Sequence, residues 1–396
     1  MRLILDAHLD LAWNALSFDR DQTLPIDTLR AREAGMEAPC RGKCTASLPE
    51  MRKAGVGICL ATILARTLPQ SSTLSHYAES NVGKRTHGAH ILRDDLDFAS
   101  QTITCAVGES QATYYRLLED EGEMRMIRTR EDLTGSAEAW QAWLHAGGDA
   151  SGTAPPPIGY ILSMEGADPI RHPREAGRWF DLGLRTACLS HYGPSVYSMG
   201  TGGNGPLTPA GIELVKEFDR LGIILDLVHT ADLAVDQALE HYGGPVFVSH
   251  GNARTLVPHD RQMNDAQIRT IADRKGVIGI VLDSWMIVPD YQRGCAKEEN
   301  PSMEQLADHI DHICQVQGGS EHVGIGSDLD GGFGFEQTPK EVFSIQHLHL
   351  LEDILGRRGY SDAVLDGIFH GNFLRFFGRN LPGAADLNGA RAEVVR

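Results

Sequence analysis

The sequence predicts an α/β protein built as a closed (β/α)8 barrel, the TIM barrel. Three observations predict it. Eight apolar runs rich in Ile, Val and Leu recur along the chain, and they are continuous rather than alternating, as in strands covered on both faces. Helix-like stretches with start and stop signals separate most of them, which marks repeated βα units. No Gly-rich phosphate fingerprint is present, which favours a closed barrel over an open doubly wound sheet.

The predicted strands lie at about 3–7, 55–63, 158–164, 183–189, 222–228, 244–249, 276–282 and 322–327. Between the later ones the helices are legible. The stretch 208–222 opens with Thr-Pro and stops at Gly, a cap, a first-turn proline and a C-terminal signal. The stretches 230–244 and 264–276 read alike, and 302–319 is the longest. Two insertions interrupt the pattern. One, about 17–47, follows strand 1 and is charged and irregular. The other, about 64–157, follows strand 2 and exceeds what one crossover needs. Within it, 111–127 has apolar residues at helical spacing, and 145–159 is a Gly/Pro/Ala-rich loop. Both insertions are placed to cover the barrel mouth. One domain is expected over 1–381, followed by a C-terminal tail at 382–396 with little core-forming character.

Composition narrows the function classes. The 396 residues carry 42% hydrophobic and 22% charged side chains, which fits a globular protein with a large core. The net charge of −17 and the lack of a basic stripe argue against a nucleic-acid partner. No run of about 18 apolar residues occurs, so no membrane span is expected. The first residues meet an acid at Asp6 and read as a strand, not a secretion signal. The seven cysteines are scattered and odd in number, so no disulfide framework is implied, and Cys40 and Cys44 lack a second pair for a zinc knuckle. A cytoplasmic location is the expectation.

The chemistry lies at the ends of the apolar runs. His8 and Asp10 close the first, Glu165 the third, and His191, His229 and His250 the next three; Asp328 closes the last. In parallel α/β barrels the C-terminal strand ends carry the active site. His8 and Asp10 are alternate residues of an extended segment and share a side. Imidazole and carboxylate suit zinc or a similar divalent ion. A charged Glu165 at the end of a buried strand needs a partner, and a carboxylate has two oxygens with which to bridge two cations. His229 and His250 end consecutive strands and can converge. Asp328, in GIGSDLDGG, is placed to accept a proton from an attacking water; Asp330 belongs to the turn. The set points to a metal-dependent hydrolase.

The chain also resembles the membrane (renal) dipeptidase family, peptidase M19, whose members are zinc dipeptidases of the amidohydrolase superfamily. The segments that carry the resemblance are DAHLDLAWN (6–14), SMEGADPI (163–170), LRTACLSHYGPS (184–195), LTPAGIELVKEFDRLGIILDLVH (207–229), VSHGNARTLVPHDRQMND (248–265), GIGSDLDGG (324–332) and HGNFLRFF (370–377). They run in order through nearly the whole chain. The resemblance implies a barrel with two Zn2+ ions per chain, His8 and Asp10 on the first, His229 and His250 on the second, and Glu165 bridging both. It implies Asp328 as the proton-handling aspartate, His191 as the contact to the substrate carbonyl, and Arg261 as the grip on the substrate's terminal carboxylate. Three segments depart from the family pattern: Leu9 stands where Asn is usual, and 283–291 and 192–198 differ from the usual sequences.

The implied function is hydrolysis of small dipeptides, including those with a C-terminal D-residue, by a hydroxide shared between the metals. The alternatives are a related amidohydrolase acting on N-acyl amino acids or lactams, and, in another class, a non-catalytic barrel that binds metal or ligand. The expected partner is a small dipeptide, with a homodimer as the assembly.

Overall fold

The computed structural model describes residues 1–37, 40–69 and 95–387. Eight parallel strands form the core: β1 (Ile4–Leu9), β2 (Val56–Leu64), β3 (Ile158–Glu165), β4 (Leu184–Ala187), β5 (Ile224–Asp226), β6 (Val246–Phe247), β7 (Ile278–Ile280) and β8 (Val323–Ile325). The pairing order is β7-β8-β1-β2-β3-β4-β5-β6. The ring closes between β6 and β7 through one bridge, Val248 to Ile278, where Val248 N donates to Val277 O at 3.0 Å and Gly279 N donates to Val248 O at 2.9 Å. Every residue of these strands is buried, which is why their sequences are continuous apolar runs. All eight expected strands are present, and the fold is the α/β barrel.

Short contacts set the closure. A Cβ on Gly279 or Gly326 would stand 2.0 or 1.8 Å from the carbonyl oxygen of Ser249. Only glycine lets β7 and β8 approach the backbone beside His250 that closely.

The helices follow their end signals where those signals are real. Pro209–Leu221 is capped by the Thr208 side chain and stops at Gly222, φ 73°. Asp265–Asp273 and Met303–Gln317 each start with a capping box, Asn264 with Gln267 and Ser302 with Gln305. The stretch 230–244 differs. Its helix is only Asp232–His241, and Ala231 at the N-cap gives no side-chain cap. Asp232 instead pairs with Arg254 at 2.6 Å, so the acid is spent on the next βα loop.

The second insertion corrects the expectation for 111–127. The helix is Gln101–Asp120, and the chain then turns at Gly122 (φ 78°) into a strand, Met124–Met126, paired with Ile158–Tyr160 of β3. Met124 and Met126 are buried and Arg125 is exposed, a period of two that helical spacing masked. Among the described residues, two helices of this insertion pack against the barrel. Tyr115 on Gln101–Asp120 accepts from Ala12 N at 3.1 Å and donates to Thr62 O at 2.9 Å, which pins that helix to the barrel. Arg130–His145 lays Trp140 over β2, where a Cβ on Gly57 would come within 2.4 Å of the indole. The segment 145–159 includes one 3-10 turn, Gly148–Ser151, before β3. At the mouth the insertion contributes two short paired strands, Arg66–Thr67 and Asp97–Phe98.

The first insertion folds around Ile26–Arg32 and is tied to the loop after β8. Buried Asp330 accepts from Thr45 N at 2.7 Å, Thr45 Oγ1 at 2.8 Å and Ala46 N at 3.0 Å, and lies 3.9 Å from Arg20. The expected tail begins later than 382. Arg130 N donates to Pro382 O at 3.0 Å and Ala384 N to Glu131 at 2.9 Å; the rest of the tail, 388–396, lies outside the described residues. Among the described residues no helix is long and apolar enough to cross a membrane.

Candidate metal centre

The strand ends bring the predicted residues to one rim. His8 lies in β1 and Asp10 just beyond it; Glu165 is the last residue of β3. His229, His250 and Asp328 each fall three residues past β5, β6 and β8, and His191 four past β4. His229 and Asp328 both have positive φ, 59° and 57°, unusual for residues with a Cβ. Such backbone is kept where a side chain must be aimed against local preference.

Glu165 is the centre of the cluster. Its Oε2 lies 3.7 Å from His8 Nε2. Its Oε1 lies 3.0 Å from His229 Nε2, 3.5 Å from His250 Nε2 and 3.7 Å from His191 Nε2. His8 Nε2 also stands 3.6 Å from Asp10 Oδ2 and 3.6 Å from Asp328 Oδ1. Donor atoms of His8, Glu165 and His250 lie within 4.8 Å of one another, as do those of Glu165, His191 and His229, and those of His8, Asp10 and Asp328. Thus all seven residues meet. By distance alone, however, His250 groups with His8, and His191 groups with His229.

The donor set fits cations. His8 Nε2 and Asp10 Oδ1 are buried and have no hydrogen-bond partner among the described residues. A buried polar atom without a partner costs about 1–3 kcal/mol, and a bound ion removes that cost. Charge tells the same story. Burial alone would push the His8 imidazolium down, yet Glu165, Asp10 and Asp328 overcome it and raise it to about 10. Burial raises Glu165 to about 8, with His8 opposing and Asp10 adding to the rise. So many carboxylates in one buried place call for positive charge. His229 and His250 are held well below the usual imidazole range by burial first and then by the Arg261 and histidine charges around them. They are neutral at pH 7, the form that ligates zinc or a similar ion.

A layer behind the rim orients it. Asp6 accepts from His8 N at 3.2 Å and Ser327 N at 2.8 Å, so β1 holds the loop that carries Asp328. Asp226 accepts from Val228 N and Ser249 N, each at 3.0 Å, and so links the His229 and His250 turns. Thr201 Oγ1 meets His229 Nδ1 at 3.0 Å, and Ser249 Oγ meets His250 Nδ1 at 2.9 Å. The sequence reading missed these four residues. Asp6 and Asp226 had a signal, a lone carboxylate inside an apolar run; Thr201 had none.

A cavity of about 790 Å3 opens over the cluster. Arg261 lines it, 2% exposed. Its Nη2 donates to His250 O at 3.1 Å, while Nη1 has no partner among the described residues. The atypical segment 283–291 forms one wall with Trp285, Met286 and Tyr291, and Trp13 and Phe333 line the pocket as well. Asp283 on that wall is raised to about 6 by burial, against Arg293 and the Gln337 hydrogen bond. Leu9 is fully buried in the core, so its side chain does not reach the pocket.

Solved structures share this fold. A dipeptidase described as a metallo peptidase of family M19 superposes with a TM-score of 0.72 at 22% identity, covering 96% of this chain and 99% of that one. A Rhodobacter sphaeroides metallo peptidase, liganded with a phosphinate mimic of L-Ala-D-Ala, gives 0.71 at 22% identity with the same coverage. An uncharacterized dipeptidase of Schizosaccharomyces pombe is 31% identical over 223 residues, 55% of this chain and 52% of that protein. Dipeptidase aclJ of Aspergillus oryzae is 32% identical over 232 residues, 57% and 52%. The chain spans about half the length of the curated relatives it matches. The family model of membrane dipeptidase, peptidase family M19, matches residues 2–383, and the chain therefore belongs to that family.

Proposed function

We propose that the chain is a binuclear metallo-dipeptidase that cleaves small dipeptides, including those with a C-terminal D-residue. One observation carries the reading: the two oxygens of Glu165 face different imidazoles, His8 at Oε2 and His229, His250 and His191 at Oε1. In this reading His8, Asp10, Glu165, His229 and His250 would hold two Zn2+ ions, with Glu165 placed between the His8 and His229 sides. Ions bound there would supply a water that ionises near neutral pH and a Lewis acid for the amide carbonyl.

The chain's own groups do the rest. Asp328, with Oδ1 beside His8 and Oδ2 4.0 Å from His250 Nε2, takes the proton of the attacking water. It then passes that proton to the leaving amine nitrogen. His191 turns Nε2 toward the centre and steadies the carbonyl oxygen as charge develops there. Arg261 offers Nη1 to the terminal carboxylate while Nη2 stays tied to His250 O, which sets the distance between that carboxylate and the reacting carbon. The relatives named dipeptidase and the structure holding a dipeptide mimic support this substrate class.

The test is metal analysis of the purified protein together with a dipeptide library containing L- and D-residues. About two ions per chain and turnover of dipeptides are expected. Asp328→Asn should abolish most turnover, and full activity in that variant overturns the proton route. The wall formed by 283–291 favours a second reading, an amidohydrolase of N-acyl amino acids or lactams. Preference for substrates without a free amino group would select it. Absence of metal-dependent turnover of any amide would leave a binding barrel.

A further inference from the structure

Three imidazole Nε2 atoms surround Glu165 Oε1 at 3.0, 3.5 and 3.7 Å, and these distances do not tell a metal ligand from a substrate contact. Their other ring nitrogens do. Nδ1 of His229 and Nδ1 of His250 each meet a hydroxyl, Thr201 and Ser249. A hydroxyl accepts as readily as it donates. Both rings can therefore keep their proton on Nδ1 and leave a lone pair on Nε2 for a cation.

His191 is different. Its Nδ1 lies 3.2 Å from Nη1 of Arg66. A guanidinium has five N–H donors, no acceptor, and stays protonated in proteins. Arg66 must donate, so Nδ1 of His191 must accept, and the neutral ring carries its hydrogen on Nε2. A protonated Nε2 can donate to an oxygen but has no lone pair for a metal.

Arg66 is itself held in place. It follows β2 in the two-residue strand Arg66–Thr67, and its backbone N donates to Leu96 O at 2.7 Å. Its Nη2 donates to Asp97 Oδ2 at 2.5 Å, with the two side chains only 6% and 3% exposed. A buried, paired guanidinium keeps one orientation, and this one points its other nitrogen at His191.

We propose that Arg66 is a positioning residue that locks His191 as the Nε2–H tautomer, making His191 a hydrogen-bond donor to the substrate oxygen and barring it from the metal set. The proposal rests on the reading of the site as an amide hydrolase. It explains why one of the three histidines around Glu165 Oε1 has a different task.

The test uses full-length, metal-loaded protein labelled with 15N-histidine. Long-range proton–nitrogen spectra report which ring nitrogen is bare, and His191→Gln assigns the signals. The expected result is a protonated Nε2 and a bare Nδ1 at His191, shifting toward a mixture in Arg66→Met. Arg66→Met should lower kcat by roughly 10- to 100-fold with KM within about threefold and metal content unchanged. Arg66→Lys, also a pure donor, should restore most of kcat. A hydrogen on Nδ1 of His191 in the unmodified protein overturns the proposal. So does wild-type kcat in Arg66→Met with unmoved His191 signals. If the unmodified protein cleaves no dipeptide, the catalytic reading fails, and the spectra still decide the tautomer.

Discussion

Glu165 Oε1 lies 3.0 Å from Nε2 of His229, although the two are 64 positions apart in the chain. The two meet because β3, β4 and β5 are consecutive neighbours in the ring. A neutral amide in place of the carboxylate keeps the shape and removes the charge that gathers the cluster. Glu165→Gln should therefore lose most bound metal and about a thousandfold of amide turnover, while melting as a folded barrel. Elemental analysis beside circular dichroism checks this; full metal content in the variant would remove Glu165 from the centre of the site.

Gly326 can be tested for its closeness to Ser249. Gly326→Ala would press a methyl group into the Ser249 carbonyl, which neighbours His250. We expect a stability loss of about 2–3 kcal/mol or more and a metal affinity weakened by roughly tenfold or more. Urea unfolding and metal titration are the measurements. An alanine variant with unaltered unfolding would show that β7 and β8 can spread without harm.

Asp330 should behave unlike Asp328, two residues away. Asp330 ties the first insertion through Thr45 and Ala46 and faces the buried Arg20. Asp330→Asn is expected to cost about 2–4 kcal/mol of stability but to keep the bound metal at neutral pH. Loss of metal with stability intact would move Asp330 into the site.

His309 sets a pH dependence of stability. From the helix Met303–Gln317 it accepts from Ala253 N at 3.1 Å through Nδ1, and its Nε2 donates to Ile287 O at 2.9 Å, which joins the loops after β6 and β7. Burial lowers it from 6.5 to about 4, against the Ile287 hydrogen bond. Below pH 6.5 the unfolded chain binds a proton there that the folded chain refuses. The stability from this group is full above pH 6.5 and is lost as pH falls toward 4, by roughly 3 kcal/mol in all. Urea midpoints from pH 7 to 4.5 should fall less steeply in His309→Gln than in the unmodified protein. Parallel curves would exclude His309 as the source.

The sequence alone determined the barrel and the identity of the rim residues, because strands buried on both faces must read as apolar runs and a charged residue ending such a run stands out. Helix ends were legible where a side chain caps them, as at Thr208, Asn264 and Ser302, and misleading at 230–244, where Ala231 caps nothing. The strand Met124–Met126 was hidden because three residues hold too little periodicity to outweigh a preceding helix. The tertiary structure alone decided which nitrogen of each histidine faces Glu165 and what stands behind it. Thr201, Arg66 and Asp226 act through positions in space reached from other strands, and no local pattern encodes a hydrogen bond between segments that only ring closure brings together.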